Sequence, residues 1–263
     1  MNGRSSVRLA FSALAAILAI AGCQGRMPYP RFSEVPSSAT LLLGQHHIVG
    51  SSAGNIPIVI QVFGQGPDVT FILAAIHGDE PAGTPLVRNL AKHIRSHLEL
   101  VNGRTIILLP LANPDGFIQK TRFNVKGVDL NRNFAASNRI EAATTGQSAL
   151  SEPESRIITE IIEQYRPDRI ISLHQRREGQ PGCIDYDGPA GDLARRMAQY
   201  CDLPVDKLGA MPGSLGSYAG LNLLIPIVTF EMQTSDSQLT AQALWQKYGK
   251  TLLAAITYPI APE

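Results

Sequence analysis

Residues 69–80 read VTFILAAIHGDE, and the reading of this stretch decides the fold. Its first eight residues are apolar without a break, too short to cross a bilayer and β-branched enough for a buried strand. The run stops at His77, Gly78, Asp79 and Glu80, followed by Pro81. Open α/β sheets bind ligands just beyond the carboxyl ends of their strands, so this polar cluster stands where a site is expected. His77 and Glu80, with two residues between them, can grip one metal ion, and an imidazole nitrogen with a carboxylate suits zinc. A lone HxxE is also what a strand-ending turn before an acidic helix start looks like. The other strand ends decide between the two.

Outward from this stretch, residues 56–63 (IPIVIQVF), 104–109 (RTIILL), 168–173 (DRIISL) and 225–230 (IPIVTF) have the pattern of further strands. Residues 84–100 carry Leu86, Leu90, Ile94 and Leu98 at four-residue spacing, an amphipathic helix. His93 and His97 lie beside that stripe and read as flank residues. Ser151-Glu-Pro-Glu154 has the spacing of a capping box and starts a helix through about Tyr165. Residues 189–201 and 237–256 are helical, the last holding the single tryptophan, Trp245. Residues 127–138 look irregular. Strands alternating with helices predict an α/β fold with a mixed, largely parallel twisted sheet and helices on both faces.

The strand at 168–173 delivers His174, and the strand at 225–230 delivers Glu231. If these strands run parallel beside the first, all four groups meet on one rim of the sheet. His77, Glu80 and His174 then form a three-ligand zinc site whose fourth position is open to water, as catalytic zinc sites are. A structural site would close that position, often with cysteine, and no cysteine lies near these strand ends. One zinc ion per chain is the expectation. Glu231 is left as a carboxylate able to take a proton from a water that the metal has made acidic, with a pKa near roughly 7.

His77-Gly-Asp-Glu80, Asn113-Pro-Asp-Gly116, Gly127-Val-Asp-Leu-Asn-Arg-Asn-Phe134, His174 and Thr229-Phe-Glu231 stand in that order along the chain. Together they resemble the zinc carboxypeptidase family, whose type member, carboxypeptidase A, is known by its His₂Glu ligand set. The resemblance implies a zinc carboxypeptidase-like fold with His77, Glu80 and His174 as ligands and Glu231 as general base and acid. It implies that Arg122 polarises the scissile carbonyl, an effect worth on the order of 3 kcal/mol in a water-poor site. Asn131 and Arg132 match the pair that holds the substrate's terminal carboxylate, a task suited to the planar guanidinium fork. Asp129 matches a carboxylate that orients His77. Asp115 and Gly116 read as turn chemistry. The family's mobile tyrosine has its nearest counterpart in Tyr218, closer to Glu231 than the family spacing, which either supplies the hydroxyl or packs.

Cys183-Ile-Asp-Tyr-Asp-Gly-Pro-Ala190, Pro212-Gly-Ser-Leu-Gly-Ser217 and Ser151-Glu-Pro-Glu154 are similar to the murein peptide amidase branch, which cuts the γ-D-glutamyl–diaminopimelate bond of cell-wall peptides. That resemblance implies a peptide or muropeptide substrate, with Asp185 or Asp187 meeting the side-chain amine and Arg176 or Arg177 the distal carboxylate. One alternative is an exported metallocarboxypeptidase acting on ordinary peptide C-termini. Another is a catalytically idle, zinc-containing wall-binding lipoprotein, against which Glu231, Arg122 and Arg132 together speak.

The chain opens with Met1-Asn-Gly-Arg-Ser-Ser-Val-Arg8, then an apolar run to Ala21 and Gly22-Cys23, the pattern of a secretory signal. Ile20-Ala21-Gly22-Cys23 resembles the bacterial lipoprotein box, in which the cysteine is lipidated. The expected organisation is a lipoprotein signal peptide at 1–22, a tether at 23–40 containing Pro28, Pro30 and Pro36, and a catalytic domain at 41–263. The expected location is the periplasmic face of a bacterial membrane, lipid-anchored through Cys23, with Gln24 favouring the outer membrane over the inner. Lys and Arg total 23 against 22 Asp and Glu, so no basic field points to nucleic acid. Cys183 and Cys201 are either joined, as an oxidising compartment allows, or two free thiols.

Overall fold

The computed structural model describes residues 44–259. The signal, the tether and Cys23 lie outside the described residues. Within them seven strands form one sheet: β1 (Gln45–Ser51), β2 (Pro57–Gly64), β3 (Asp68–Ala74), β4 (Arg104–Leu109), β5 (Arg169–Gln175), β6 (Cys183–Asp187) and β7 (Ile227–Met232). Their order is β1-β2-β4-β3-β5-β7-β6. The inner four, β4, β3, β5 and β7, are parallel, whereas β1, β2 and β6 join antiparallel at the two flanks. The sheet is therefore mixed, with a parallel centre. Every residue of β3 and of β5 is buried, as central strands covered on both faces must be.

The helices are α1 (Gly83–Ser96), α2 (Pro114–Gln119), α3 (Pro153–Tyr165), α4 (Gly191–Ala198) and α5 (Ala241–Ile256). Helices α1, α4 and α5 cover one face, packing Leu86, Leu90, Met197 and Leu252 against Ile72, Val228 and Phe230. Helix α3, the loop carrying Leu130 and Phe134, and a π-helical segment at Gly216–Asn222 cover the other, against Phe71, Leu73 and Ile107. Each fully buried large aliphatic side chain stabilises the fold by roughly 1.5–3 kcal/mol. Among the described residues no helix is long and apolar enough to cross a membrane.

Local details depart from the sequence expectations where tertiary contacts win. The helix after Ser151 starts without a capping box: Glu152 is its N-cap and makes no side-chain cap. Glu154 instead accepts from the backbone N–H of Ala53 at 2.9 Å, a tertiary partner that outcompetes the local one. Strands β1 and β6 join the sheet from stretches whose apolar patterns are weak. Cys183 and Cys201 are free thiols. His93 and His97 stack on each other at 3.9 Å on the flank of α1 and its C-cap, with His93 also against Trp245.

Three features aim the end of β3. In the register, Ala74 pairs with Leu173 and His174 pairs with Glu231, so β3, β5 and β7 end at one level. Ala75 is left-handed (φ 53°), which costs a residue with a Cβ roughly 1–2 kcal/mol and turns the chain out of the sheet. Backbone bonds from Ala112 N–H to the Ala74 carbonyl (3.0 Å) and from Asn113 N–H to the Ala75 carbonyl (2.9 Å) hold that turn. Gly78 then crosses directly over Gly116 of α2, where a Cβ would stand 1.9 Å from the Gly116 carbonyl carbon. Asn113 in turn caps α2, its side-chain oxygen accepting from Gly116 N–H at 2.9 Å. Asn113-Pro-Asp-Gly116 is thus the buttress of the HGDE turn. Gly78→Ala should lower stability by more than the ~1–3 kcal/mol of ordinary overpacking, because both clashing partners are backbone. Gly191→Ala, whose Cβ would meet Tyr186 at 3.5 Å, should be nearly neutral. Urea unfolding of the two variants tests the contact, and equal midpoints would refute it.

Candidate active site

The two imidazoles face each other across the Glu80 carboxylate. His77 Nδ1 lies 2.7 Å from Glu80 Oε1, and His174 Nδ1 lies 2.8 Å from Oε2. The ring centroids are 4.9 Å apart. All three side chains are buried, and one ligand atom from each lies within 4.8 Å of the others. The far nitrogen of each ring is also held: His77 Nε2 meets Asp129 Oδ1 at 3.1 Å and His174 Nε2 meets Ser172 Oγ at 3.0 Å.

This pattern tests whether a metal fits. A carboxylate can only accept, so His77 Nε2 must donate to Asp129. Its Nδ1 then presents a lone pair towards Glu80, another acceptor, and only a positive charge between the two reconciles them. In the protein alone that charge is a proton. Burial disfavours the charged His77 ring, yet Glu80 and Asp129 outweigh it and raise its pKa to about 9. Burial likewise works against ionised Glu80, and the two histidines more than reverse this, holding it well below the usual carboxylate range. A divalent cation held by His77, His174 and Glu80 would supply the same charge, with the donor types zinc prefers. The outer bonds to Asp129 and Ser172 fix ring orientation as metal-binding histidines require.

Asp129 does more than orient His77. Its Oδ2 accepts from Arg122 Nε at 2.9 Å, and its Oδ1 accepts from Asn131 N–H at 3.0 Å, which starts the 3₁₀ turn Leu130–Arg132. Arg122 Nη1 also reaches Glu80 Oε1 at 3.3 Å. The Asn131 side-chain oxygen accepts from Leu215 N–H at 2.9 Å, which leaves its amide N–H groups available. Arg132 donates to the Asn131 carbonyl at 2.7 Å. One cleft of about 510 Å³ is lined by His77, Glu80, His174, Glu231, Arg122, Asn131 and Arg132 together. Burial, with Glu80 adding to it, raises the pKa of Glu231 above the ordinary value.

The cleft also gathers residues beyond the candidate set. Arg176, Arg177, Asp185 and Asp187 line it. The Nε of Arg176 is buried without a hydrogen-bond partner. Burial, and then Asp187, push Asp185 up to about 6, and burial raises Asp187. Ser172 and Gln175 escaped the sequence reading. Gln175 donates its N–H to Glu80 Oε2 at 3.2 Å and accepts from Ala82 N–H at 2.9 Å, tying β5 to the HGDE turn. Ser172 could have been found from strand alternation, since it lies two residues before His174 and shares its face. Tyr218 packs at 6.0 Å on Phe134 in the core and does not line the cleft.

The zinc carboxypeptidase family profile matches residues 45–180. The chain belongs to the zinc carboxypeptidase family. Its curated relatives include murein peptide amidase A of Escherichia coli K12, 33% identical over 184 residues that span 63% of this chain and 72% of that one. Murein peptide amidase A of Vibrio campbellii is 30% identical over 190 residues, 65% of this chain and 72% of the relative. A murein-tripeptide amidase structure from Escherichia coli O157 superposes with a TM-score of 0.62 at 25% identity, covering 89% of this chain and 98% of the other. Carboxypeptidase A from Helicoverpa armigera superposes at 0.65 with 21% identity, covering 82% and 69%, a likeness of fold.

Family membership makes zinc the metal for which His77, Glu80 and His174 are matched. Zinc at a hundredfold excess over its Kd should add about 2.7 kcal/mol of stability. At roughly 2–4 °C per kcal/mol for a domain of this size, scanning calorimetry should show Tm rising by about 5–10 °C. Glu80→Gln should abolish the shift, and Ser172→Ala should weaken zinc binding roughly tenfold. An undiminished shift in Glu80→Gln would remove the triad as the zinc site.

Proposed function

We propose that the protein is a zinc-dependent amide hydrolase of murein peptides that cleaves the γ-D-glutamyl–diaminopimelate bond, with one zinc ion per chain. The observation that carries this reading is the single cleft in which the His77, Glu80 and His174 triad, Glu231 and the Asn131–Arg132 pair meet. The 33% identity to a murein peptide amidase directs the choice of substrate. His77, Glu80 and His174 would hold the zinc, which when bound acidifies water and polarises a carbonyl.

The remaining work falls to the chain's own groups. Asn131 and Arg132 hold the free carboxylate of the leaving residue, Arg132 through two parallel N–H···O bonds. That places the scissile carbonyl beside Arg122, whose guanidinium is already fixed by Asp129 and so needs no reorganisation when negative charge develops on oxygen. Glu231 takes a proton from the attacking water as the new C–O bond forms. It returns that proton to the leaving nitrogen as the C–N bond breaks.

For localisation, the proposal is an exported protein tethered to the periplasmic face of a membrane, resting on Arg4, Arg8, the apolar run that follows and Cys23. Such an enzyme meets wall peptides or fragments released from the wall. Cys23→Ser should move the protein from the membrane to the soluble fraction after cell fractionation, and unchanged membrane association would reject the lipid anchor.

Zinc-loaded protein incubated with a muropeptide mixture should release a diaminopimelate-bearing product, identified by mass. Release confined to ordinary C-terminal amino acids would replace this reading with that of a general metallocarboxypeptidase. Glu231→Gln should lower kcat by roughly 10²–10⁴-fold with zinc content unchanged, and Arg122→Ala by on the order of 10²–10³-fold. The base works only when ionised, so activity should be lost as pH drops through the Glu231 pKa. That acid limb of kcat/KM should be missing from the residual activity of Glu231→Gln, and a limb that persists there would contradict the assignment.

A further inference from the structure

Along β5, Ile171 and Leu173 pack into the face of the core covered by α1, α4 and α5, and Gln175 is the next side chain in that row. It is only 7% exposed, so an amide stands where the two side chains before it are apolar. Every polar group of that amide has a partner. Its Oε1 accepts from Ala82 N–H at 2.9 Å, and its Nε2 donates to the carbonyls of Gln233 (3.2 Å) and Thr234 (3.3 Å). These partners admit one orientation, because the amide oxygen cannot face two carbonyls. They also select the residue type. An ionised glutamate has no donor for the carbonyls, and methionine serves none of the three partners.

The segments so joined carry the two halves of the site. Ala82 stands two residues beyond Glu80 and is the N-cap of α1. Gln233 and Thr234 follow Glu231 by two and three residues, where the 3₁₀ turn Thr234–Gln238 begins. That turn is anchored in its own right: buried Asp236 accepts from Gln233 N–H at 3.0 Å and from the Tyr248 hydroxyl of α5 at 2.7 Å. Strand pairing sets Glu231 against His174, but the last pair of β3 with β5 is Ala74 with Leu173. His77 and Glu80 lie past that pair, so the ladder does not fix the HGDE turn relative to Glu231. The Gln175 amide spans this gap, from the start of α1 to the anchored exit of β7. Its backbone N–H donates to Glu80 as well, at 3.2 Å, a bond that other residues at this position would keep.

From this geometry we infer that Gln175 is a positioning residue: its side chain sets the separation between the HGDE turn and Glu231, and so acts on the chemical step. The inference rests on the proposed reaction, in which Glu231 moves the proton. A group that takes a proton from the attacking water and returns it to the leaving nitrogen must stay within hydrogen-bond reach of both. A misplacement of about 1 Å at a reacting group can cost on the order of 100-fold in rate. Gln175 acts through Glu231 and not on substrate, since its amide is turned to three backbone groups.

The test is a double-mutant cycle on the zinc-loaded enzyme with γ-D-glutamyl-diaminopimelate. Gln175→Met keeps the length of the side chain and the backbone bond to Glu80 while removing the ties to Ala82, Gln233 and Thr234. It should lower kcat by roughly 10–100-fold with KM within about twofold of the wild type. In a Glu231→Gln background the same substitution should lower the residual kcat by less than about threefold, because the group it misplaces is already gone. Zinc affinity, read by calorimetric titration of the metal-free protein, should fall by less than the roughly 10–100-fold that loss of a ligand-orienting partner costs. A lowered Tm with kcat of the folded enzyme intact would make Gln175 merely structural and overturn the inference. Equal losses with and without Glu231, or a rise in zinc Kd matching the loss in kcat, would overturn it too. Should Gln175→Met fail to fold, Gln175→Asn, which keeps the amide and shortens its reach, goes through the same cycle. No cleavage of γ-D-glutamyl-diaminopimelate by the wild type would sink the amidase reading alone. The cycle is then run on hippuryl-phenylalanine, where a loss that vanishes without Glu231 supports the positioning role and an additive loss rejects it.

Discussion

The chemistry of this protein depends on three parallel strands ending at the same level. The pairings of Ala74 with Leu173 and of His174 with Glu231 bring two imidazoles and two carboxylates to one rim from positions far apart in the chain. Side chains alternate along a strand, so a register slip of one residue between β5 and β7 would turn His174 or Glu231 to the opposite face. Full burial of β3 and β5 guards against such a slip, because it would also misplace core side chains on both faces. The same apolar runs that build the core therefore set the geometry of the site.

A second level of control comes from Asp129, which touches three parts of the site at once. It donates no proton and accepts three: from His77, from Arg122 and from the Asn131 backbone. A group proposed to bind metal, one proposed to steady the carbonyl oxygen and one proposed to hold the substrate carboxylate are thus referenced to a single carboxylate. The interactions are charge-assisted and shielded from water, where they are stronger than their exposed counterparts. Holding Arg122 in place before substrate arrives is what lets electrostatic stabilisation act without reorganisation.

Much of this was legible in the sequence, for a physical reason. The central strands are covered on both faces and so read as unbroken apolar runs, and a polar residue directly after such a run is conspicuous: His77, His174 and Glu231 were all visible this way. Strand β6 was missed because one of its faces lines a cleft instead of a core. Asp185 and Asp187 alternate with Ile184 and Tyr186, and the acids disguise a strand as a polar loop. Edge strand β1 is half exposed and carries two histidines, which hid it equally well. At Glu154 a local rule lost to a tertiary one, the carboxylate serving Ala53, 101 residues away, in place of its own helix. Tyr218 had two readings open, and the distance between its packing site on Phe134 and the cleft could be seen only in three dimensions.

The position of Tyr218 has a consequence for how protons move. Among the described residues that line the cleft there is no tyrosine. In the proposed reaction Glu231 must then both remove the proton from water and deliver it to the leaving nitrogen. A carboxylate with ordinary acidity is a reluctant base and gives its proton up readily; one with raised affinity accepts more easily and is closer to the pH at which it works. Burial beside Glu80 moves Glu231 in that direction. Zinc would oppose the shift by adding positive charge nearby, so Glu231 has to stand close enough to share the water yet outside the ligand set. Its place on β7, one strand over from His174 and opposite it in register, meets both requirements.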